Sequence, residues 1–334
     1  MNIRRFLYPA LLILLVMSLG CTIYFMIRAL EFESDFSSSA SFHRPRYHFV
    51  LIPEEKDNPY WRLIEKGAQA AAARYDAVVE YNGPEQTNTD EHIKITEMAI
   101  ASRVDGIITQ GLSERMNPVI NRAIQQGIPV VTADTDAPGS RRNAYVGTDN
   151  LKAGKMAGKA LIQGTGGHAN VAIITGSFQS PSQKLRIKGF REAIKNSPGI
   201  HIVTIRASHI SRVQAAEETY QILLKYPDVT AFFGTSALDG LGISATAQSL
   251  GKTDDVYILA FDKLPDTLRL IKKGAIEATV AQKPYEIGYK SVQLMVDIAN
   301  GQNVPEINHT STMVIHSPDL PLKVSSEGKG RGRP

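Results

Sequence analysis

The chain has 334 residues, of which 43% are hydrophobic and 21% are charged, and its net charge at pH 7 is +4. This composition is that of a globular protein long enough to form two lobes. Cys21 is the only cysteine, which excludes an intramolecular disulfide and a cysteine-based metal site. The basic excess comes largely from the two ends, so no nucleic-acid-binding face is predicted. The tail, residues 321–334, is predicted to be disordered because its end lacks apolar side chains.

An uncharged stretch, residues 6–27, lies close to the N-terminus. It is about as long as the ~20 apolar residues that cross a bilayer. Arg4 and Arg5 precede it, and basic flanks favour the cytoplasmic side of a membrane. We therefore predict that residues 1–30 contain a cytoplasmic N-terminus and a membrane anchor, and that residues 31–45 form a tether to a body outside the cytoplasm.

Two other interpretations of this stretch remain open. A cleaved signal peptide typically has an apolar core of ~7–15 residues, which is shorter than the stretch seen here. A lipoprotein cleavage site with a lipidated Cys21 is the second alternative, because Leu19-Gly20-Cys21 resembles the end of a lipobox. Ser18 argues against it, since it occupies a position where a lipobox usually has leucine.

Short β-rich runs alternate with segments of helical periodicity along the rest of the chain. The predicted strands are 48–53, 77–81, 105–109, 129–134, 143–147, 170–175, 201–205, 230–234, 256–261 and 277–282. Strands that alternate with helices form parallel sheets covered on both faces. The sequence therefore predicts an α/β protein with two doubly wound parallel-sheet lobes.

Polar side chains follow several of the predicted strands. Asp134 and Asp136 come after one strand of the first set, and Asp262 and Gln282 follow two strands of the second. Ligands of open α/β sheets bind at the carboxyl ends of the strands, so these residues are candidates for a binding site. An aspartate at a strand end is also a common turn or cap residue, which leaves that alternative open for each of them.

Two glycine-containing segments imitate nucleotide-binding motifs. The segment 251–253 ends like a phosphate loop, but Thr246 stands where the first glycine is required. The segment 240–245 imitates a dinucleotide fingerprint, but it should already lie inside a helix, where its glycines would serve close packing. The eight histidines show no metal-ligand spacing. No catalytic residue, metal or cofactor is predicted.

An ordered set of motifs covers about residues 46–316. The motifs are NPYW at 58–61, ADTDAP at 133–138, YVGTDN at 145–150, RIKGF at 186–190, GTSALDGLGI at 234–243, AFD at 260–262 and AQKPYEIG at 281–288. This set resembles the type I periplasmic sugar-binding proteins, and most closely their ribose-binding branch. The resemblance implies two lobes joined by a three-stranded hinge. It also implies the lobe limits, which are 46–148 with 283–311, and 149–282 with 312–320.

The resemblance also transfers the ligand positions of the family onto eight residues. They are Asn58, Tyr60, Trp61, Asp134, Arg186, Ser236, Asp262 and Gln282. Aromatic rings stack on the apolar faces of a sugar, while carboxylates, amides and a guanidinium pair with its hydroxyls. The ligand implied by the resemblance is a monosaccharide or a related polyol.

Two positions depart from the ribose-type pattern. Residues 208–211 stand where that branch has an aromatic stacking residue, and Ser236 replaces an asparagine. His209 is a candidate for the missing contact, although a histidine before a helix is more often a surface cap. Asp136 and Asp239 are further candidates, but Asp239 is equally well explained as a partner of a helix N-terminus.

The resemblance leaves two uses of the binding event open. In an importer, the closed protein delivers its sugar to the membrane permease of an ABC transporter. In a sensor, it reports the sugar to a membrane histidine kinase. Sugar repressors share the two-lobe fold but begin with a DNA-reading helix-turn-helix, whereas this chain has the apolar stretch 6–27 there. We therefore predict a binding protein without enzymatic activity, for import or alternatively for sensing.

Overall fold

The computed structural model describes residues 13–28 and 45–322. It divides the chain into one unit that ends at Arg46 and a second that begins at Tyr47. In the first unit, residues 13–28 form helix α1, on which Cys21 is exposed. None of the described helices is long and apolar enough to cross a membrane.

The predicted tether and tail fall largely outside the described residues, and the predicted anchor falls partly outside them. The anchor at 6–27 begins before them, the tether at 31–45 ends where they resume, and only the first two residues of the tail at 321–334 belong to them. The anchor, its alternatives, the tether and the tail therefore stay predictions.

The second unit contains two six-stranded sheets. Strands and helices alternate along the chain from β1 to β10, as the periodicity predicts, except that β5 follows β4 without an intervening helix. The elements that build the first sheet and its cover are β1 (Tyr47–Leu51), α2 (Pro59–Arg74), β2 (Ala77–Tyr81), α3 (Thr89–Ala101), β3 (Gly106–Thr109), α4 (Met116–Gln125), β4 (Val130–Ala133) and β5 (Ala144–Thr148).

The chain then passes to the second sheet and returns once to the first. The elements of the second lobe are α5 (Asn150–Gly164), β6 (Ala169–Thr175), α6 (Pro181–Ile194), β7 (Ile200–Ala207), α7 (Arg212–Lys225), β8 (Ala231–Gly234), α8 (Asp239–Ser249), β9 (Tyr257–Phe261), α9 (Pro265–Lys272) and β10 (Ala278–Ala281). Helix α10 (Pro284–Ala299) and β11 (Ile307–Thr310) rejoin the first lobe, and β12 (Met313–His316) ends in the second.

Both sheets are doubly wound, which confirms the predicted fold class. The strand orders are β11-β5-β4-β3-β1-β2 and β12-β10-β9-β8-β6-β7. All neighbours pair in parallel except β12, which is antiparallel to β10. Strand β11, which pairs in parallel with β5, ends at the carboxyl edge of the first sheet. Because two residues separate it from β12, the chain enters the second sheet from its carboxyl edge and must run against β10.

Three connections join the lobes. They follow β5 at residue 149, β10 at residues 282–283, and β11 at residues 311–312. All three lie at the carboxyl ends of the preceding strands. The two carboxyl edges therefore face each other across the connections, where a ligand site is expected.

Each lobe packs one helix pair through two glycines. In the first lobe, a Cβ on Gly67 of α2 would lie 1.9 Å from the Tyr285 carbonyl oxygen, and one on Gly288 of α10 would lie 1.9 Å from that of Ile64. In the second lobe, Gly154 of α5 faces Arg186 in the same way. Only glycine permits the helix backbones to approach this closely. The contacts therefore fix the positions of α2 and α6, the two helices that carry cleft residues.

The glycines of the segment 240–245 also serve packing, as the sequence predicted. Helix α8 begins at Asp239, so both glycines lie inside it. A Cβ on Gly240 would meet Ala260, and one on Gly242 would meet the Arg212 carbonyl oxygen.

Candidate ligand-binding site between the lobes

One cavity lies between the carboxyl edges of the two sheets and encloses about 430 Å³, including space open to solvent. Its lining residues are Glu54, Glu55, Asn58, Tyr60, Trp61, Asp134, Thr135, Ser182, Gln183, Arg186, Ile210, Ser236, Ala237, Asp262 and Gln282. The structure thus brings together all eight residues to which the resemblance transferred ligand positions.

The N-terminus of α2 places one amide and two aromatic rings in the cavity. The Oδ1 atom of Asn58 accepts a hydrogen bond from the Tyr60 backbone N–H at 3.0 Å, so Asn58 caps the helix. Pro59 fixes the first helical residue. Tyr60 and Trp61 follow in the first turn and meet edge to face, with ring centroids 6.2 Å apart. The cap therefore sets the position of both rings.

Asp134 follows β4 with a left-handed backbone, φ 64°. Its backbone N–H donates to the Val146 carbonyl oxygen at 2.9 Å, which extends the pairing with β5. Its carboxylate accepts hydrogen bonds from the Tyr60 hydroxyl at 2.5 Å and from Gln110 Nε2 at 3.1 Å. The Thr135 hydroxyl also donates to it at 3.1 Å, so three donors hold this carboxylate at the cavity wall.

Asp262 occupies the equivalent place in the second lobe. It follows β9 with φ 69°, and its N–H donates to the Val280 carbonyl oxygen at 2.8 Å. Its Oδ1 accepts from Gln282 Nε2 at 2.9 Å. Aspartate tolerates the left-handed region better than most residues. Each lobe therefore presents one carboxyl group to the cavity, and the two turns that carry these groups have the same backbone geometry.

Arg186 is buried, and its hydrogen bonds join the cavity to the lobe connections. Its guanidinium donates to Asn150 Oδ1 at 2.8 Å, to the Thr235 carbonyl oxygen at 2.7 Å and to Gln282 Oε1 at 3.2 Å. It also lies 3.9 Å above the ring centroid of Phe261. None of these acceptors is a carboxylate, so the positive charge of Arg186 faces the cavity without an ion-pair partner among them.

Burial and mutual repulsion favour the neutral forms of two cavity carboxyls. The pKa of Glu54 is raised to about 8 by burial and by the negative charges of Asp134 and Glu55, with Arg186 opposing. Burial likewise raises the pKa of Asp262 to about 7, against the opposing effect of Arg186. Four carboxyl groups share this cavity with one guanidinium. Protonation of some of them limits the excess negative charge.

Three weaker candidates from the sequence do not line the cavity. Asp136 accepts from the Arg142 guanidinium, with one bond of 2.7 Å, and supports a turn. Asp239 accepts from the Ser208 hydroxyl at 2.6 Å and from the Ser236 backbone N–H at 2.8 Å, so it ties the start of α8 to its surroundings. His209 is exposed.

Ile210, the residue after His209, reaches the cavity instead. Both residues have a left-handed backbone, with φ 51° and 57°, which is an outlier for a β-branched residue. The Ile210 N–H donates to the Ser208 hydroxyl at 3.2 Å and helps to hold this turn. An aliphatic side chain therefore stands near the position where the ribose-type pattern has an aromatic one.

Sequence reasoning missed several lining residues, of which Glu54 is chemically the most important. Glu54 lies three residues after the end of β1 and directly after the predicted strand 48–53, and this position was the available signal. Gln183 was missed because its side chain, which accepts from the Thr175 hydroxyl at 2.6 Å, comes from α6 and not from a strand end. The Ser236 hydroxyl lines the cavity and has no protein partner among the described residues.

The arrangement suits a small ligand with many hydroxyl groups. It offers carboxylate acceptors, amide and guanidinium donors, and two aromatic rings within one cleft. Within residues 13–28 and 45–322, no group of three or more histidine, cysteine, aspartate or glutamate side chains is placed to hold a metal ion.

Comparison with known proteins places this geometry in a family. Residues 49–303 match the periplasmic binding protein domain. The structure of GanP, a glucose-galactose binding protein from Geobacillus stearothermophilus, is 56% identical, with a TM-score of 0.81 over 83% of this chain and 99% of GanP.

Two further similarities support the assignment. The structure of a XylFII-LytSN complex contains a chain 39% identical to this one, with a TM-score of 0.79 over 82% of this chain and 99% of that one. The ribose import binding protein RbsB of Escherichia coli K12 is 26% identical over 259 residues, or 76% of this chain and 86% of RbsB. These matches confirm the resemblance to type I periplasmic sugar-binding proteins. The chain belongs to the periplasmic binding protein family.

Proposed function

We propose that this protein binds a monosaccharide outside the cytoplasm by closing its two lobes around it, and that it delivers the sugar to an ABC-type importer. The observation that carries the proposal is the cavity between the lobes, where Asp134 and Asp262 face Arg186 beside Tyr60 and Trp61. Hydroxyl groups can donate to the carboxylates and accept from the guanidinium, while the rings pack on C–H faces.

The relatives favour this ligand class. GanP is a glucose-galactose binding protein, and RbsB is a ribose import binding protein. Both are binding proteins, which supports a role without catalysis. Because GanP is 56% identical, D-glucose and D-galactose are the first ligands to test.

The test is a thermal unfolding series of the full-length chain with pentoses, hexoses, polyols and inositols. A ligand that binds only the folded state raises the melting temperature, and a concentration 100 times the Kd adds about 2.7 kcal/mol of stability. We expect a rise with D-glucose or D-galactose. The variant Asp134→Asn should lose most of this rise. Its amide replaces one of the two acceptor oxygens of the carboxylate by an NH₂ donor, which cannot accept a hydrogen bond from a sugar hydroxyl.

Asp254→Asn is the matched control, because Asp254 is exposed and does not line the cavity. It should keep the full rise. No rise with any compound of the panel would contradict the sugar-binding proposal. A rise that Asp134→Asn leaves unchanged would remove the proposed site while retaining the ligand class.

A sensor role is the second candidate, and one comparison favours it. A protein 39% identical to this chain has been solved in a XylFII-LytSN complex. In this alternative, the closed lobes would contact a membrane histidine kinase instead of a permease. Pull-down of the sugar-loaded protein with solubilised membranes distinguishes the two, since recovery of a permease supports import and recovery of a kinase supports sensing.

A further inference from the structure

Glu54 differs from the other acidic residues of the cavity because it has no local partner. It is half-buried in the loop between β1 and α2, and it makes no hydrogen bond or ion pair with another described residue. Its neighbour Glu55 accepts from Asn58 Nδ2 at 3.0 Å and from the Thr87 hydroxyl at 2.7 Å. The protein thus satisfies Glu55 internally and leaves the carboxyl group of Glu54 available to a ligand.

The groups around Glu54 are mostly negative. Asp134 follows β4, Asp262 follows β9 and Glu55 is adjacent in the same loop, while Arg186 of α6 is the cation that lines the cavity with them. Tyr60 of α2 directs its hydroxyl proton to Asp134. A fourth anion among these carboxylates would be poorly compensated by one guanidinium.

His92 of α3 adds no positive charge from behind β1 and β3. It is fully buried, its Nε2 lies 2.8 Å from the Thr109 hydroxyl, and burial lowers its pKa to about 4. The surroundings of Glu54 therefore favour its neutral form, in agreement with the pKa of about 8 that burial and the adjacent carboxylates give it.

We propose that Glu54 acts in the closed cavity as a neutral carboxylic acid that donates a hydrogen bond to a sugar hydroxyl, so that binding is coupled to proton uptake. This inference rests on the proposed sugar-binding function. A carboxylate only accepts hydrogen bonds, whereas a carboxylic acid also donates one. Glu54 thereby supplies a donor on a side of the cavity where its acidic neighbours supply acceptors, and it selects an uncharged ligand.

The coupling has a definite sign. In the open protein, water reaches Glu54 and favours ionisation, whereas closure favours the protonated form. Closure on the sugar therefore binds a proton over the interval between the open-state and closed-state pKa values. Within that interval the affinity falls as pH rises, by up to about tenfold per pH unit.

The experiment is calorimetric titration of the full-length chain with D-glucose and D-galactose between pH 5 and 9, for the wild type and Glu54→Gln. Glutamine keeps the size and the donor of the protonated acid but does not titrate. We expect the Kd of the wild type to rise at least tenfold more than that of the variant between pH 6 and 9. Asp262 also titrates in this range, and its contribution is common to both proteins.

Glu217→Gln is the matched control, because Glu217 is exposed on α7 and does not line the cavity. It should follow the wild-type pH dependence. Titration of the wild type in buffers of different ionisation enthalpy counts the protons directly and requires no variant. We expect an uptake approaching one proton near pH 6.5, and most of it should be absent in Glu54→Gln.

Equal pH dependence of the wild type and Glu54→Gln, with sugar binding intact, would overturn the role of Glu54 and leave the proposed function standing. Tighter binding of D-glucosamine than of D-glucose would also overturn it, because an ionised Glu54 would then serve a cationic ligand. Absence of binding by every sugar at every pH would overturn the proposed function itself, and this inference with it.

Discussion

Asp134 and Asp262 place their carboxyl groups in the cavity from left-handed backbone positions. A non-glycine residue in this region costs about 1–2 kcal/mol. Backbone hydrogen bonds to Val146 and Val280 hold both turns in place. Backbone strain at the equivalent strand end of each lobe is typical of residues that are positioned for function. Stability at these positions is therefore lower than glycine would allow, and burial of the charged carboxylate adds an electrostatic cost at Asp262.

The variant Asp262→Asn should reveal the electrostatic part of this cost. Burial raises the pKa of Asp262 to about 7 in the folded protein, whereas the unfolded chain has the ordinary value near 4. The stability that this group contributes is therefore complete below pH 4 and is lost as pH rises to 7. Asparagine has no such loss. We expect Asp262→Asn to gain stability relative to the wild type between pH 4 and 8, on the order of 1–3 kcal/mol.

Denaturant unfolding without ligand at the two pH values measures this gain. Asp254→Asn is the control, because its side chain is exposed and it should show no gain. A stability difference between Asp262→Asn and the wild type that does not change with pH would show that Asp262 has an ordinary pKa in the folded state.

Individual site residues were predictable where a motif or a strand end marks them. The eight ligand positions transferred by the resemblance all line the cavity, and their contact with a ligand stays a prediction. Glu54 was missed because an acidic residue in a loop has many neutral explanations. That Ile210 lines the cavity in place of His209 was not predictable. The arrangement depends on two residues with left-handed backbone angles, and no local sequence pattern indicates those angles.

At the scale of elements, the reciprocal glycine contacts of α5 and α6 connect helix packing to the site. Gly154 and Gly189 each approach a carbonyl oxygen of the other helix, those of Arg186 and Leu151. The backbone of Arg186 is thus part of the contact, while its side chain reaches the cavity. A change in the separation of these helices should move the guanidinium.

The variant Gly154→Ala tests this connection. An added Cβ would lie 2.0 Å from the Arg186 carbonyl oxygen, so the helices must separate. We expect a loss of about 1–3 kcal/mol in the free energy of unfolding, because overpacking has this cost. Sugar affinity should fall as well. Both are measured on the same preparation, by denaturant unfolding and by calorimetric titration.

Gly288→Ala provides the comparison, because its Cβ would meet the Ile64 carbonyl oxygen at 1.9 Å and no contact with Arg186 is involved. It should lose similar stability with a smaller change in affinity. Gly139→Ala should change neither, since its closest neighbour is the flexible end of Asn117. Equal affinity losses in Gly154→Ala and Gly288→Ala would argue against a connection through Arg186.

The element pattern was predictable from β1 to β10 because buried parallel strands and helices have distinct periodicities. Strands β11 and β12 were not assigned from the sequence. Each has four residues and lies at a sheet edge, and β11 alternates exposed and buried positions in the segment INHT, which has little hydrophobic signal. The antiparallel direction of β12 follows from the chain crossing between lobes, which local periodicity does not encode.

At the scale of the whole molecule, the two lobes contact each other directly around the cavity. Trp61 of the first lobe and Leu241 and Leu264 of the second belong to one buried apolar cluster. The hydroxyl oxygens of Thr135 and Ser182 lie 3.1 Å apart across the cleft. The structure is therefore a closed arrangement, and sugar entry requires these contacts to open. A ligand that binds the closed form more tightly shifts the population toward it.

A disulfide between positions 135 and 182 should hold this closed arrangement. The double variant Thr135→Cys/Ser182→Cys is made with Cys21→Ser, so that no other cysteine is present. The sulfur atoms of a disulfide lie about 2.05 Å apart, and the hydroxyl oxygens at these two positions already lie 3.1 Å apart. Oxidation without sugar should slow sugar binding strongly, and reduction should restore it. Oxidation with sugar bound should slow its release.

Trp61 is the only tryptophan and is 2% exposed in this arrangement, so its emission reports the state of the lobes. Opening exposes the indole to water and should shift the emission to longer wavelength. The oxidised, sugar-free variant should emit like the reduced protein with sugar, because both have closed lobes. Emission of the oxidised variant that matches the reduced, sugar-free protein would mean that closure without ligand is already the dominant state or that Trp61 does not respond to it. Binding rates then decide, since a protein that binds equally fast when cross-linked does not need to open.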